Sequence, residues 1–67
     1  MLAQWTGDLV GRMHRNKVTI TQLAQEMGVS REYVSMILNG HRNPVGIEQR
    51  MNDALNNLIE KQDAGEV

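Results

Sequence analysis

Few side chains in this 67-residue chain have the types and spacing that catalysis or metal binding requires. His14 and His41 stand far apart, and no cysteine or spaced carboxylate pair completes a metal site with them. Ser30 and Ser35 have no nearby base in the sequence, and there is no glycine-rich loop of the kind that binds phosphates. The sequence therefore predicts no enzyme, no cofactor and no bound metal ion.

A short helix is predicted over residues 31–39, and its outward side chains could form noncovalent contacts with another molecule. Its apolar residues Val34, Ile37 and Leu38 share one face, which is expected to point inward. The outward residues differ in charge, size and hydrogen-bonding capacity: Arg31, Glu32, Tyr33, Ser35 and Met36. Their function depends on the elements that hold this helix in place.

Those elements are encoded just before the helix. A helix predicted over 20–27 presents its apolar residues on one face, and Gly28 follows it where a left-handed backbone costs glycine least. Ser30 is a good N-cap for the helix at 31–39. Ala24 is small enough for two helices to cross closely, and Val34 is expected to hold the crossing. The apolar face of the first helix comprises Ile20, Leu23, Ala24 and Met27.

This spacing is typical of a DNA-binding helix-turn-helix. Residues 20–43 resemble the lambda repressor/Cro-like (XRE-type) proteins of phages and bacteria. The resemblance implies an all-α fold, a small lambda repressor-like bundle of four helices with the helix-turn-helix at 20–39. An ordinary pair of packed helices with the same pattern is the alternative. The matching residues are Leu23-Ala24, Gly28-Val29-Ser30, Val34-Ser35, Ile37, Asn39-Gly40 and His41-Arg42.

An earlier helix is predicted over residues 7–16. Thr6 suits its N-cap, and Asp8 would lie in the first turn, where the helix dipole favours a carboxylate. Trp5 before the cap and Val10 after it could form a hydrophobic staple. The residues expected to point inward are Leu9, Val10 and Met13.

Two features of this helix need an explanation. Gly11 costs up to ~1 kcal/mol relative to alanine in a helix interior, so we expect another helix to approach it closely. Arg12, Arg15 and Lys17 lie outside the apolar stripe and either face solvent or contact phosphate.

The next helix can begin at Thr19 or Thr21, and Thr19 with Gln22 matches the capping box better.

The last helix is predicted as one continuous element from about Gly46 to Lys61, after the loop that ends at Pro44. The predicted organisation is one helix-turn-helix domain over 1–62 and a frayed polar tail over 63–67. The last helix has the cleanest apolar stripe in the chain: Ile47, Met51, Ala54, Leu55, Leu58 and Ile59.

The charges are unevenly distributed along the chain. The net charge of −1 is low for a nucleic-acid-binding domain, because such domains are often basic. However, residues 12–42 carry five basic and two acidic side chains, whereas residues 48–67 carry two basic and five acidic ones. The sequence therefore predicts a positive region around the helix-turn-helix. It shows no signal peptide or membrane span, so we expect a cytoplasmic protein.

In this motif the N-terminal part of the second helix enters the major groove of DNA. Arg31 can bridge guanine O6 and N7, while Glu32 can either accept from cytosine N4 or orient Arg31. Ser35 can donate to a base or a phosphate, and Met36 can contact a thymine methyl group. The expected base-reading residues are Arg31, Glu32, Ser35 and Met36.

Phosphate contacts position such a protein without specifying a sequence. The resemblance places these phosphate contacts at the start of the helix at 20–27 and after the helix at 31–39, which is the recognition helix of the motif. Tyr33 can reach a phosphate through its hydroxyl or pack against the preceding helix, and Asn39 can cap its helix, contact DNA or do both. The expected residues are Thr19, Thr21, Gln22, Gln25, Tyr33, Asn39, His41, Arg42 and Asn43.

Together these features predict a sequence-specific double-stranded DNA-binding transcriptional regulator of phage or mobile-element origin. We expect no small-molecule ligand, and a possible homodimer through the fourth helix, because Leu58 and Ile59 extend its apolar stripe. The acidic fourth helix keeps a second function open. The chain could be an antitoxin-like protein-interaction module that keeps the fold without binding DNA.

Overall fold

The fold is an all-α bundle. The structure, a computed structural model, describes the backbone of residues 4–65 and the side chains of residues 4–62. That part of the chain forms four helices and no strand, which confirms the predicted fold class. The helices are α1 (Gln4–Arg15), α2 (Ile20–Met27), α3 (Arg31–Leu38) and α4 (Ile47–Gly65).

One apolar core joins the four helices. α2 packs against both α3 and α4, and α1 completes the bundle by packing against the same two helices. The faces predicted for α2, α3 and α4 are the ones that are buried, because their apolar residues recur with the helical period. The buried apolar residues are Leu9, Met13, Val18, Leu23, Ala24, Val34, Ile37, Leu38, Ile47, Met51, Ala54 and Leu55.

Glycines in the left-handed conformation end α2 and α3. Gly28 has φ 73°, as predicted, and the next N–H, from Val29, donates to the carbonyl of Ala24 at 3.0 Å. Gly40 has φ 82°, and the N–H of His41 donates to the carbonyl of Met36 at 2.8 Å. Both are Schellman motifs, which satisfy carbonyls at the helix end and reverse the chain sharply.

The same motif ends α1 without a glycine. Lys17 adopts φ 58°, and the N–H of Val18 donates to the carbonyl of Met13 at 2.9 Å. Val18 and Met13 both lie in the buried apolar core, which agrees with the apolar pairing that often accompanies this motif. The core therefore holds a lysine in a backbone conformation that costs it energy.

α1 begins earlier than predicted, at Gln4 instead of Gly7. Thr6 lies inside the helix with 3% of its surface exposed, so the predicted N-cap is wrong. Asp8 accordingly falls outside the first turn. Trp5 is also helical and packs against the core, so it cannot form the predicted staple from a position before the helix.

Two further expectations for α1 are wrong. Val10 is exposed, because the inward stripe of this helix runs through Thr6, Leu9 and Met13 instead. Among the described residues, no other helix approaches Gly11 closely. A Cβ built on it would meet one heavy atom within 4 Å, Nη1 of Arg15 in the same helix, at 3.4 Å.

α4 is one unbroken helix, as predicted, and it continues to Gly65. Leu58 and Ile59 pack against the core and are half-buried. The predicted tail over 63–67 lies partly outside the described residues and stays a prediction, and so does the domain boundary at residue 62. Between residues 4 and 65, no helix is long and apolar enough to cross a membrane.

Polar contacts connect α4 to the other helices. The guanidinium of Arg12 on α1 donates to the side-chain oxygens of Asn52, at 3.0 Å, and of Asn56. Lys61 near the end of α4 forms an ion pair with Glu26 on α2, with an N–O distance of 2.6 Å. Arg12 therefore belongs to the helix packing, which was neither of the two roles considered for it from the sequence.

Candidate nucleic-acid interface

The start of α2 has the predicted capping box. The hydroxyl of Thr19 accepts from the N–H of Gln22 at 3.1 Å, and the side-chain oxygen of Gln22 accepts from the N–H of Thr19 at 2.9 Å. Thr19, Thr21, Gln22 and Gln25 are all exposed. The N-terminal turn of α2 therefore presents exposed polar groups at the positive end of the helix dipole.

The turn between α2 and α3 follows the predicted chemistry. Ser30 caps α3 by accepting from the N–H of Tyr33 at 3.1 Å, with an extended backbone at φ −76° and ψ 155°. Ala24 on α2 and Val34 on α3 are both buried, with 3% and 0% of their surfaces exposed. The small side chain of Ala24 lets the two short helices pack closely, which holds α3 rigidly against the core.

The outward face of α3 carries the predicted base-reading residues. Arg31, Glu32 and Met36 are exposed, and Met36 exposes 36% of its surface even though it is apolar. At 100° per residue, Glu32 and Met36 project furthest from the buried stripe of Val34, Ile37 and Leu38. An exposed methionine beside charged residues is available for a contact with another molecule.

Ser35 is half-buried on one flank of α3 and is held by Asn39. The amide nitrogen of Asn39 donates to the backbone carbonyl of Ser35 at 2.8 Å and to its hydroxyl oxygen at 3.2 Å. Since the serine oxygen accepts this bond, its own O–H remains a donor for a further partner. Asn39 also ends the helix, with φ −91° and ψ 4°, so its capping role is present.

Tyr33 lies on the opposite flank of α3 and is half-buried against the core. The guanidinium of Arg42, from the loop after α3, sits over the Tyr33 ring with its carbon 5.9 Å from the ring centroid. Together with His41 and Asn43, Arg42 is exposed. The structure thus brings Arg42 back beside the recognition helix, a proximity that sequence spacing did not reveal.

These elements match a known family. A family model described as helix-turn-helix matches residues 12–44. This match supports the resemblance to the lambda repressor-like helix-turn-helix family. The match begins in the last turn of α1, spans α2, the turn, α3 and most of the following loop, and ends before α4. No curated protein and no solved structure matches the chain.

In this helix-turn-helix protein, basic side chains flank the matched elements. Lys17 is exposed two residues before the capping threonine of α2, and Arg31 and Arg42 are exposed at the start and beyond the end of α3. Arg15 adds a fourth exposed basic residue at the end of α1. Lys17 is one of the residues for which the sequence left solvent exposure and phosphate contact open, and its position beside α2 follows from the tight turn that ends α1.

The helix-turn-helix residues do not form a cluster suited to metal chemistry. Within the part of the chain that the structure describes, no group of three or more histidine, cysteine or acidic side chains could hold a metal ion. The matched family is one of DNA-binding domains. The chemistry available at this surface is hydrogen bonding, charge attraction and apolar contact.

Proposed function

We propose that this protein binds double-stranded DNA in a sequence-specific manner and acts as a transcriptional regulator in the cytoplasm of its host. α3 would lie in the major groove with Arg31, Glu32, Ser35 and Met36 towards the bases. The phosphate-contacting residues would come from α2 with its N-cap and from the end of α3 with the loop that follows, and Tyr33 would lie among them beside Arg42. The proposed contacts are Thr19, Thr21, Gln22, Gln25, Asn39, His41, Arg42 and Asn43.

The observation that carries the proposal is the rigid presentation of an exposed, chemically mixed helix face. α3 is capped at Ser30, ended at Gly40 and packed through Val34, yet Arg31 and Met36 remain exposed. A helix with this combination can read hydrogen-bonding groups and thymine methyl groups without reorganising. The match of residues 12–44 to a helix-turn-helix family model supports the same conclusion.

The test separates base reading from phosphate contact. The parent, Arg31→Ala and Arg42→Ala would be titrated against a preferred duplex, selected from random sequence, and a scrambled one at three salt concentrations. Arg31→Ala should weaken binding to the preferred duplex by about 1–3 kcal/mol. The same substitution should change binding to the scrambled duplex little. Arg42→Ala should weaken both alike and reduce the slope of log K against log salt by roughly one.

Equal losses for the two variants on both duplexes would contradict these roles. A parent that binds no duplex even at low salt would contradict DNA binding altogether. In that case the antitoxin-like interaction module becomes the better explanation, and the acidic residues of α4 are where a protein partner should be sought. Arg50→Ala serves as the control, because it removes an exposed positive charge on α4, outside α2, α3 and the loop between α3 and α4.

We further propose that the protein forms a homodimer through the C-terminal part of α4 when it binds DNA. The half-buried Leu58 and Ile59 keep part of their apolar surface accessible. A two-fold pair could place two recognition helices about 34 Å apart, one helical turn of DNA. Light scattering at high micromolar concentration, with and without duplex, tests this, and a monomer under both conditions would contradict it.

A further inference from the structure

The loop after α3 is held in a defined path at its start. The N–H of Gly40 donates to the carbonyl of Ile37 at 3.1 Å, and the N–H of His41 donates to the carbonyl of Met36 at 2.8 Å. With φ 82° at Gly40, the chain reverses and directs Arg42 back beside α3. The backbone therefore brings Arg42 close to Tyr33, nine residues earlier in the sequence.

The ring that Arg42 meets is itself fixed. Tyr33 packs against the buried core, and its backbone N–H is engaged by the Ser30 cap at 3.1 Å. A guanidinium within about 6 Å of a tyrosine centroid is attracted by the electron-rich ring face. Arg42 would otherwise be a long, exposed side chain with many rotamers, which it would have to lose on binding.

We infer that Tyr33 is a positioning residue for Arg42, and that it acts through its ring and not through its hydroxyl. The ring holds the guanidinium beside the recognition helix before DNA arrives, so Arg42 meets a backbone phosphate with less ordering left to do. This inference rests on the proposed DNA binding. It assigns Tyr33 an indirect role in place of the direct phosphate contact considered from the sequence.

The affinity test is a double-mutant cycle with the full chain. Parent, Tyr33→Leu, Arg42→Ala and the double variant would be titrated against the preferred and the scrambled duplex at low salt. Tyr33→Leu should lower affinity for both duplexes about 2- to 5-fold when Arg42 is present, which is the range of an exposed cation–π contact. In the Arg42→Ala background the same substitution should have no effect. Tyr33→Phe keeps the ring and should bind like the parent.

Two results would overturn the inference. If Tyr33→Leu costs the same factor with and without Arg42, Tyr33 acts through packing alone. If Tyr33→Phe loses as much affinity as Tyr33→Leu, the hydroxyl makes the contact. Circular dichroism melts show whether each variant is folded at the temperature of the titration, and Tyr33→Phe remains informative should Tyr33→Leu not fold.

A measurement without DNA separates this inference from the proposed function. In the free parent, the δ-methylene protons of Arg42 should resonate upfield of those in an unstructured arginine, because the Tyr33 ring shields them. The shift should persist in Tyr33→Phe. If no duplex binds, the proposed function fails, whereas a shifted Arg42 still supports its positioning by the ring. Unshifted Arg42 protons would overturn the positioning, whatever the DNA result.

Discussion

Arg12 on α1 donates to the side-chain oxygen of Asn52 on α4 at 3.0 Å, across 40 residues of sequence. A second bond from the same guanidinium reaches Asn56, one turn further along α4. The charge of Arg12 is thus held between the first and last helices by two neutral amides. Hydrogen bonds to charged groups contribute more to stability than those between neutral groups. This arginine therefore stabilises the fold and is not free to contact DNA.

Arg12→Ala should lower the free energy of unfolding by about 1–2 kcal/mol, because both bonds to α4 are lost at a half-buried site. Urea denaturation measures the change. Arg15→Ala is the matched control on the same helix, and it should stay within about 0.5 kcal/mol of the parent because Arg15 is exposed. A stability of Arg12→Ala equal to that of the control would mean that the bonds to Asn52 and Asn56 contribute nothing.

The crossing of α2 and α3 should not tolerate a larger residue at position 24. Ala24→Leu adds side-chain volume to a site with 3% exposure, and overpacking of this kind typically costs ~1–3 kcal/mol. Gln25→Leu places the same side chain on the exposed neighbouring position and should leave the denaturation midpoint nearly unchanged. If Ala24→Leu and Gln25→Leu both melt like the parent, the close packing of α2 against α3 at position 24 would be contradicted.

Two glycines in the same chain should respond in opposite ways to alanine. Gly11→Ala should raise the free energy of unfolding by up to ~1 kcal/mol, since the new Cβ meets only the flexible end of Arg15 and alanine favours the helix. Gly28→Ala should lower it, because φ 73° is strained for any residue with a Cβ. Thermal melts of both variants show whether the two stabilities change in opposite directions. A destabilised Gly11→Ala would show that the position is crowded.

Lys17→Gly should stabilise the protein by up to ~1 kcal/mol. The substitution relieves a left-handed backbone at φ 58°, and the entropy of the added glycine in the unfolded chain offsets part of that gain. Lys17→Ala is the control, since it removes the charge but keeps the Cβ and so the strain. Chemical denaturation of both variants separates the two effects. A stability gain of equal size in Lys17→Ala would assign the effect to charge instead.

Local chemistry explains why α2 and α3 could be predicted closely. Thr19 and Gln22 form their capping box within four residues, and Ser30 caps α3 within three, so no distant contact is needed to identify either helix start. Gly28 and Gly40 likewise identify the helix ends by their own backbone freedom. In α2 and α3, the caps that depend only on neighbours in sequence were predicted correctly.

Features set by the tertiary fold were missed. Thr6 has the preference of an N-cap, but the bundle buries it inside α1 and thereby displaces Val10 to the surface. Lys17 gives no signal of a left-handed residue, since the buried pair of Met13 and Val18 imposes that turn. The same limit applies to the candidate site. The types of the outward residues of α3 could be read from the sequence, whereas the approach of Arg42 to Tyr33 depends on the path of a loop.

Because α4 follows the helix-turn-helix in the chain, the order of synthesis affects when the core can form. Among the described residues, α4 supplies four of the twelve buried apolar side chains, namely Ile47, Met51, Ala54 and Leu55. The segment that carries the recognition helix ends before any of them has been synthesised. A nascent chain that stops at residue 46 lacks the helix against which both α1 and α2 pack, and only α3 remains as a partner for them. The core that supports α3 is therefore complete only when α4 has left the ribosome.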